Sequence, residues 1–417
     1  MAAQRKPNIV FVLADDLGYA ELGCYGNRFN ETPHLDRLAQ DGVRFTQAYA
    51  AAPVCSPTRV SLMVGQHPAR VGILDYLRAD DPNHLSPKKY DCVARRLRGA
   101  GYRTGLVGKW HLMGDYAKRL GDPKLHGFDE VICSESRYIG PGYYKPPYEH
   151  MPEVAPKKPD EYLTDRLNEE AVDFVGRAAG KPFFLYLAHY APHTRLVSRS
   201  DKAAPFRAKP GASEKKNNPE LAGMLASVDE GIGMLRRQLE QIGQWDNTLF
   251  LFASDNGGED RVTVNGALRA GKSTLYEGGI RIPMLAKLPG GSRKGSVCDA
   301  PVSTLDVMPE FLRMGGAGLT PELEGRPVLD AVGRPKDFAQ RPIFWHYPLD
   351  KPHFLGGRSA GAVRKGDWKL IRFYDDKSEQ LFHLREDPSE QKDLSALQPG
   401  RARELRETFM RWQAGLP

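Results

Sequence analysis

NIVFVL, residues 8–13, is followed after a single alanine by Asp15-Asp16, and this juxtaposition decides the fold. A strand covered on one face alternates apolar and polar residues. A run without that alternation reads as a strand buried on both faces, as in parallel sheets. Three more runs have the same character: RTGLV at 103–107, FFLYL at 183–187 and LFLFA at 249–253. Helical patterns lie between them. The clearest has Thr32 as N-cap, Pro33 in the first position, Leu35, Leu38 and Ala39 on one face, and Gly42 as its stop. Another spans 162–178, with Leu163, Leu167, Ala171, Phe174 and Val175 on one face, and a third spans 221–242. Strands alternating with helices imply an α/β fold: a large, mostly parallel sheet flanked by helices.

Near residue 335 the texture changes. Residues 362–384 read as short strands broken by turns at Gly366-Asp367 and Asp375-Asp376. A last helix, from about Arg401, carries Leu405, Phe409 and Trp412 at helical spacing. The expected organisation is a large α/β domain at 1–335 and a small C-terminal α+β unit at 336–417, an antiparallel sheet with a helix on it. The Pro- and Gly-rich stretches 137–159 and 205–219 read as long loops, and there is no internal repeat.

The residues just beyond each run carry the chemistry, because ligands of open α/β sheets bind at the carboxyl ends of the strands. The first run leads to Asp15 and Asp16, the second to Lys109-Trp110-His111, the third to His189 and His193, and the fourth to Asp255-Asn256. Adjacent buried carboxylates repel and need a compensating cation. An all-oxygen set of Asp15, Asp16, Asp255 and Asn256 suits a hard ion, calcium or magnesium.

Composition sets the outer limits. Of 417 residues, 41% are hydrophobic and 27% charged, with a net charge of +7, which is an ordinary water-exposed globular composition with a basic surface suited to anionic substrates. No apolar run reaches the roughly 18 residues of a membrane span, so no membrane insertion is expected. No Lys/Arg tract interleaved with aromatics points to nucleic acid. The five cysteines, at 24, 55, 92, 133 and 298, form no C-x-x-C pair, which argues against a zinc or thioredoxin-type site. With Cys55 set aside, the other four either pair or stay reduced. The opening residues, MAAQRKP, lack the apolar stretch of a signal peptide, so the chain is either cytoplasmic or shown without its export signal.

Cys55 belongs to APVCSPTR, residues 52–59. Ser56 reads as an N-cap and Pro57 as the first helical position, which sets Cys55 just before a helix start, where amide dipoles favour negative charge. Arg59, four residues on, shares its face, and Gly65 closes the helix. Cys55, Pro57 and Arg59 make the pattern C-x-P-x-R. Together with PNIVFVLADDLGYAELGCYG (7–26), TPHLDRLAQDGVRFTQAYA (32–50), GYRTGLVGKWHL (101–112), PFFLYLAHYAPHT (182–194), SDNGG (254–258) and GKSTLYEGGIRIPML (271–285), the chain resembles the formylglycine-dependent sulfatases of the alkaline-phosphatase superfold. The C-terminal GDWKLI and LFHLREDPSEQKDL resemble that family's small second domain.

The resemblance implies a sulfuric ester hydrolase. A maturation enzyme would oxidise Cys55 to formylglycine (3-oxoalanine). One hydroxyl of the hydrated aldehyde attacks sulfur, the alcohol leaves, and the second hydroxyl then expels sulfate, dividing one hard step into two. Family roles carry over residue by residue. Asp15, Asp16, Asp255 and Asn256, with the modified Cys55, hold calcium, magnesium being the less favoured ion. Arg59 and Lys109 steady the formylglycine. His111 contacts the diol and serves as base. His193 and Lys272 hold the sulfate and face the leaving oxygen, one of them donating its proton. His189 lies closer to the strand, but the family's Ala-Pro-His pattern falls on His193. GALRAGKS at 266–273 also fits the phosphate-loop pattern, yet lacks the strand before and the helix after that such a loop requires.

One departure stands beside the site: Arg195 follows Thr194 where the family usually has proline, which alters the loop near His193 or puts a cation beside the substrate. For the substrate itself, Asp75, Arg78 and His84 in one loop, and His346, His353 and Arg358 ahead of the C-terminal sheet, are candidates for a polar and aromatic sugar pocket. The expected substrate is a sulfated small molecule or oligosaccharide, a galactose- or N-acetylgalactosamine-type glycan, and an exported protein is the corresponding location. The alternatives are a phosphonate or phosphate monoester hydrolase of the same superfold and a non-catalytic sulfoglycan-binding protein.

Overall fold

Along β1 (Asn8–Ala14) alternate side chains enter two different cores: Ile9, Phe11 and Leu13 one, Val10, Val12 and Ala14 the other. That two-sided burial is why the run has no polar face. The computed structural model describes residues 6–139, 144–214 and 216–417. The first five residues of the chain start, 140–143 of the 137–159 stretch and 215 of the 205–219 stretch lie outside the described residues.

In chain order the large sheet contains β1, β2 (Val43–Tyr49), β3 (Arg103–Gly108), β4 (Glu130–Ile132), β5 (Phe183–Ala188), β6 (Thr248–Ser254), β7 (Arg281–Lys287), β8 (Ser296–Cys298) and β9 (Val302–Ser303). Their spatial order is β4-β3-β5-β1-β6-β7-β2-β8, with β9 also on β2. The four strands read from sequence, β3, β5, β1 and β6, are contiguous and mutually parallel, so their carboxyl ends share one edge. β7 runs antiparallel to both β6 and β2, which makes the sheet mixed. β2 and β7 were not legible in the sequence: β2 mixes buried and half-buried positions and is irregular between Phe45 and Ala48, and β7 contains Pro283.

One face of the sheet is covered by the helices Cys55–Val64, Val93–Gly99 and Val307–Gly315, the other by Pro33–Asp41, Leu163–Arg177 and Pro219–Gln241. The Pro33 helix starts and stops as read, but the Thr32 side chain does not cap it. The buried carboxylate of Asp229, from the Pro219–Gln241 helix, accepts the N–H groups of His34 at 3.1 Å and Leu35 at 2.7 Å instead. The 205–219 stretch is not loop throughout: the helix Ser200–Arg207 runs into it with Pro205 inside.

The C-terminal sheet has four antiparallel strands in sequence order, β10 (Ile343–Tyr347), β11 (Ala360–Lys365), β12 (Trp368–Phe373) and β13 (Glu379–His383). Its inner face packs through Trp345, Ala362 and Ile371 on Tyr49, Val54, Leu275 and Ile280 of the large unit. Its outer face carries Leu405 and Phe409 of the helix Pro399–Gln413. Lys369 crosses the seam, fully buried, to Glu277 at 3.0 Å and Glu390 at 2.9 Å. All five cysteines are free thiols. No helix among the described residues is long and apolar enough to cross a membrane.

Candidate active site

Four strand ends and one helix start meet at Cys55. The helix begins at Cys55 itself, with Val54 as its extended N-cap residue. This corrects the reading of Ser56 as cap: the Ser56 hydroxyl accepts the N–H of Leu77 and ties in a neighbouring loop. Gly65, at φ 66°, ends the helix as expected. At the end of β3, Gly108 (φ 98°) passes so close to β5 that a Cβ would lie 2.0 Å from the Ala188 carbonyl oxygen, and Lys109 follows directly. After β6, Gly257 presses on the turn at Gly278 with no room for a side chain, a Cβ there falling 1.9 Å from the Gly278 oxygen. The Lys272 segment is bracketed between these parts: Lys272 N–H donates to Gly258 and Ser273 N–H to Pro53. The match to a phosphate loop at 266–273 is a coincidence of letters, since β6 ends at Ser254 and only the four-residue helix Glu277–Ile280 follows.

The carboxylates are gripped by cations. Asp15 Oδ2 accepts from Lys109 Nζ at 2.5 Å, and its Oδ1 lies 3.4 Å from Cys55 Sγ. Asp16 Oδ2 accepts from Lys272 Nζ at 2.5 Å, and its Oδ1 from Asn256 Nδ2 at 2.8 Å. Arg59, fully buried, donates Nε and Nη2 to Asp255 Oδ2 at 3.1 and 2.8 Å and Nη1 to the Lys109 carbonyl. Burial opposes ionisation of Asp15, but Lys109, His193, Arg59 and Lys272 together hold it well below the usual carboxylate range. Burial pushes the Cys55 thiol well above its ordinary value, Lys109 and Lys272 pulling against Asp15 and Asp255, so the unmodified thiol stays protonated.

The donor set fits a hard cation. One ligand atom from each of Asp15, Asp16, Cys55 and Asp255 falls within 4.8 Å of the others. Asn256 Oδ1 is buried and has no hydrogen-bond partner among the described residues, an acceptor left over where a cation would use it.

Both histidines are imidazoles held low. His111 sits at φ 55°, and its Nε2 pairs with the Leu77 carbonyl at 3.0 Å, which makes Nε2 the protonated nitrogen. Burial, reinforced by Lys109 and Arg59, keeps its pKa well below the ordinary value. His193 Nδ1 pairs with the Thr194 carbonyl, leaving Nε2 3.1 Å from Lys272 Nζ and 3.4 Å from Asp16 Oδ2. Burial, then Lys272, lowers its pKa as well. His189 is elsewhere: its ring is buried with no hydrogen-bond partner among the described residues, and burial takes it down to about 3.

A cavity of about 320 Å³ opens over these groups, with Cys55, Lys109, His111, His193 and Lys272 in its lining. Of the six candidate substrate residues, His353 lines this cavity, and Asp75, Arg78 and His353 line a contiguous groove. The other three make contacts elsewhere. His84 pairs with Met113 in a β-bridge, His346 bonds the Tyr374 hydroxyl at 2.7 Å, and Arg358 pairs with Asp375 and Asp376. None of the three lines either space. The aromatic wall of the cavity, Tyr76, Tyr138 and Phe354, was not read from the sequence.

Nor was Glu135. Its buried carboxylate accepts the N–H of Trp110 at 3.0 Å and of His111 at 2.5 Å, and the Tyr190 hydroxyl at 3.0 Å. The Tyr190 carbonyl in turn accepts the His193 N–H. One carboxylate thus ties the segments of both active-site histidines together. It lies in no motif, and only tertiary proximity reveals it.

The mixed sheet flanked by helices, with the small antiparallel sheet beside it, is an alkaline-phosphatase-like fold. The family model Sulfatase matches residues 7–317, and the chain belongs to the sulfatase family, the sulfuric ester hydrolases. The model for the C-terminal part of N-sulphoglucosamine sulphohydrolase matches residues 270–409. The chain is 33% identical to N-acetylgalactosamine-6-sulfatase of Homo sapiens, over 82% of this chain and 69% of that protein. It is 32% identical to arylsulfatase A of Homo sapiens, over 89% and 76%. Among solved structures, Ps i-CgsB in complex with k-i-k-neocarrahexaose superposes with a TM-score of 0.85 at 32% identity, covering 98% of this chain and 93% of that one.

Proposed function

We propose that the enzyme removes sulfate from a sulfated carbohydrate of the galactose or N-acetylgalactosamine type, using a formylglycine made from Cys55 and a calcium ion held by Asp15, Asp16, Asp255 and Asn256. The observation that carries this is Cys55, which lines one cavity with Lys109, Lys272, His111 and His193 and lies against the buried carboxylates Asp15, Asp16 and Asp255 that those lysines and Arg59 hold. The relatives that act on N-acetylgalactosamine sulfate and the one bound to a neocarrahexaose support the carbohydrate assignment.

A calcium ion there would neutralise the carboxylates and polarise a sulfate oxygen. The formylglycine would supply a hydrated aldehyde, a nucleophile with its own exit route. The remaining work belongs to the chain. Arg59 and Lys109 fix the position of residue 55 and offset Asp15 and Asp255. Lys272 Nζ, beside His193 Nε2, presents positive charge to the sulfate, and this pair delivers the proton to the leaving alcohol. His111, neutral and anchored through Nε2, accepts a proton at residue 55.

Two measurements test the reading. The mass of the Cys55 peptide, from a host with the maturation enzyme, should show the aldehyde. A panel of defined sulfated saccharides should include substrates turned over faster than matched phosphate or phosphonate esters. Faster phosphate or phosphonate cleavage would overturn the sulfatase reading of this site, and activity confined to simple aryl sulfates would overturn the carbohydrate assignment.

A further inference from the structure

We propose that Arg195 makes the enzyme selective for sugars that carry a second anionic group, a further sulfate or a carboxylate, near the sulfate being removed. The inference rests on the carbohydrate-sulfatase reading and names its substrate class. Arg195 stands in the lining of the cavity that contains Cys55. Its side chain is exposed, and its guanidinium has no carboxylate partner among the described residues. Glu259, which bonds the preceding residue, is already used: it takes the Thr194 hydroxyl at 3.0 Å, and its other oxygen pairs with Arg261 at 2.5 Å. The cations at the cavity floor are engaged too, Lys109 with Asp15 and Lys272 with Asp16. Among the described residues, Arg195 is therefore the free cation on the wall, set apart from the reacting group by its partnerless state.

The opposite character lies on the rest of the wall. Tyr76, Tyr138 and Phe354 give an aromatic surface, and Phe354 is 74% exposed. Such a surface suits the apolar face of a pyranose ring. With a ring against the aromatics and its scissile sulfate at the floor, the planar fork of a guanidinium is matched to an oxyanion on the same sugar or the next one.

The test compares wild type with Arg195→Ala on three probes: a monosulfated N-acetylgalactosamine, its disulfated counterpart, and the monosulfated sugar linked to a hexuronate. The variant should lose about 10- to 100-fold in kcat/KM on a doubly anionic probe, mostly through KM, and stay within about twofold on the monosulfated one. Loss confined to the disulfated probe identifies sulfate as the second anion, and loss confined to the uronate-linked probe identifies carboxylate. Equal loss on all three, or none on any, overturns the proposal. Binding to the Cys55→Ala protein, with and without Arg195→Ala, reads the same preference without turnover. Preference in binding with no sulfate turnover in the matured wild type would sink the hydrolytic reading while leaving Arg195's role intact; turnover without preference would do the reverse.

Discussion

Two buried clusters in this protein look alike by composition and differ in use. At the seam between the sheets, Lys369 lies between Glu277 and Glu390, all three buried. At the strand ends, Lys109 and Lys272 pair with Asp15 and Asp16, and Arg59 with Asp255. Both remove carboxylates and cations from water, so buried charge alone does not mark a catalytic centre. What separates them is access. The seam cluster lines neither the cavity nor its groove, and its lysine joins a strand of the C-terminal sheet to the short helix Glu277–Ile280 of the large unit. The strand-end cluster reaches a cavity through Lys109, Lys272 and the helix-start Cys55, and Asn256 Oδ1 beside it is a buried acceptor with no hydrogen-bond partner among the described residues. The first is arranged to stay closed; the second is arranged to take something in.

The largest expected effect tests the catalytic side. Cys55→Ala should lower kcat by at least about 10³-fold, since it removes the proposed nucleophile, with a thermal midpoint close to wild type. Retained turnover would refute any mechanism through residue 55. The mirror experiment is Lys369→Met. It takes the cation from buried Glu390 and leaves Glu277 only Arg281, 3.5 Å away, and should cost about 3–5 kcal/mol of stability, measured by denaturant unfolding. Activity per folded molecule should hold; a specific loss of kcat would erase the distinction between the clusters.

Glu135 sharpens the comparison from a third side, because it is a buried carboxylate bonded to backbone and phenol rather than to a cation. Glu135→Gln should reduce kcat about tenfold with KM within twofold, as the His111 and His193 segments lose a shared anchor. A change in KM alone would assign it to substrate binding instead. The smallest effect belongs to Asp229, which accepts only two helix N–H groups. Burial raises its pKa from 3.8 to about 7. A raised folded value means the folded chain binds the proton more tightly, so this contribution is full below about pH 4 and is lost as pH rises through 7. Unfolding free energy should fall by about 1–3 kcal/mol across that window, and Asp229→Asn should flatten the slope. An unchanged slope would assign the pH response to other groups.

Much of the large domain was legible because local rules sufficed. Runs such as 183–187 and 249–253 are apolar on both faces, and a strand buried on both sides needs nothing else to be read. The strand-end residues followed from the same reading, since parallel strands place their carboxyl ends together whatever the helices between them do. β2 and β7 were not legible: β2 mixes buried and half-buried positions and β7 contains Pro283, and pairing within the sheet, β7 against β6 and β2 against β7, rather than intrinsic preference makes them strands. Thr32 had the right chemistry for a cap, yet its hydroxyl donates to Asp36 and the cap came from Asp229, nearly two hundred residues away.

Spacing and residue type were enough to predict the ladder of buried strands and the polar residues beyond their ends, and the resemblance carried by short segments pointed to the family whose model matches the chain. These are properties of short segments, and each can be read without knowing where the rest of the chain goes. Folding in three dimensions was needed to show that Glu135 anchors both histidine segments, that His84, His346 and Arg358 do not line the cavity, and that Arg195 on its wall has no carboxylate partner among the described residues. Each of these depends on which distant side chain supplies or withholds a partner, and hydrogen bonds and ion pairs between remote segments leave no local pattern in the chain.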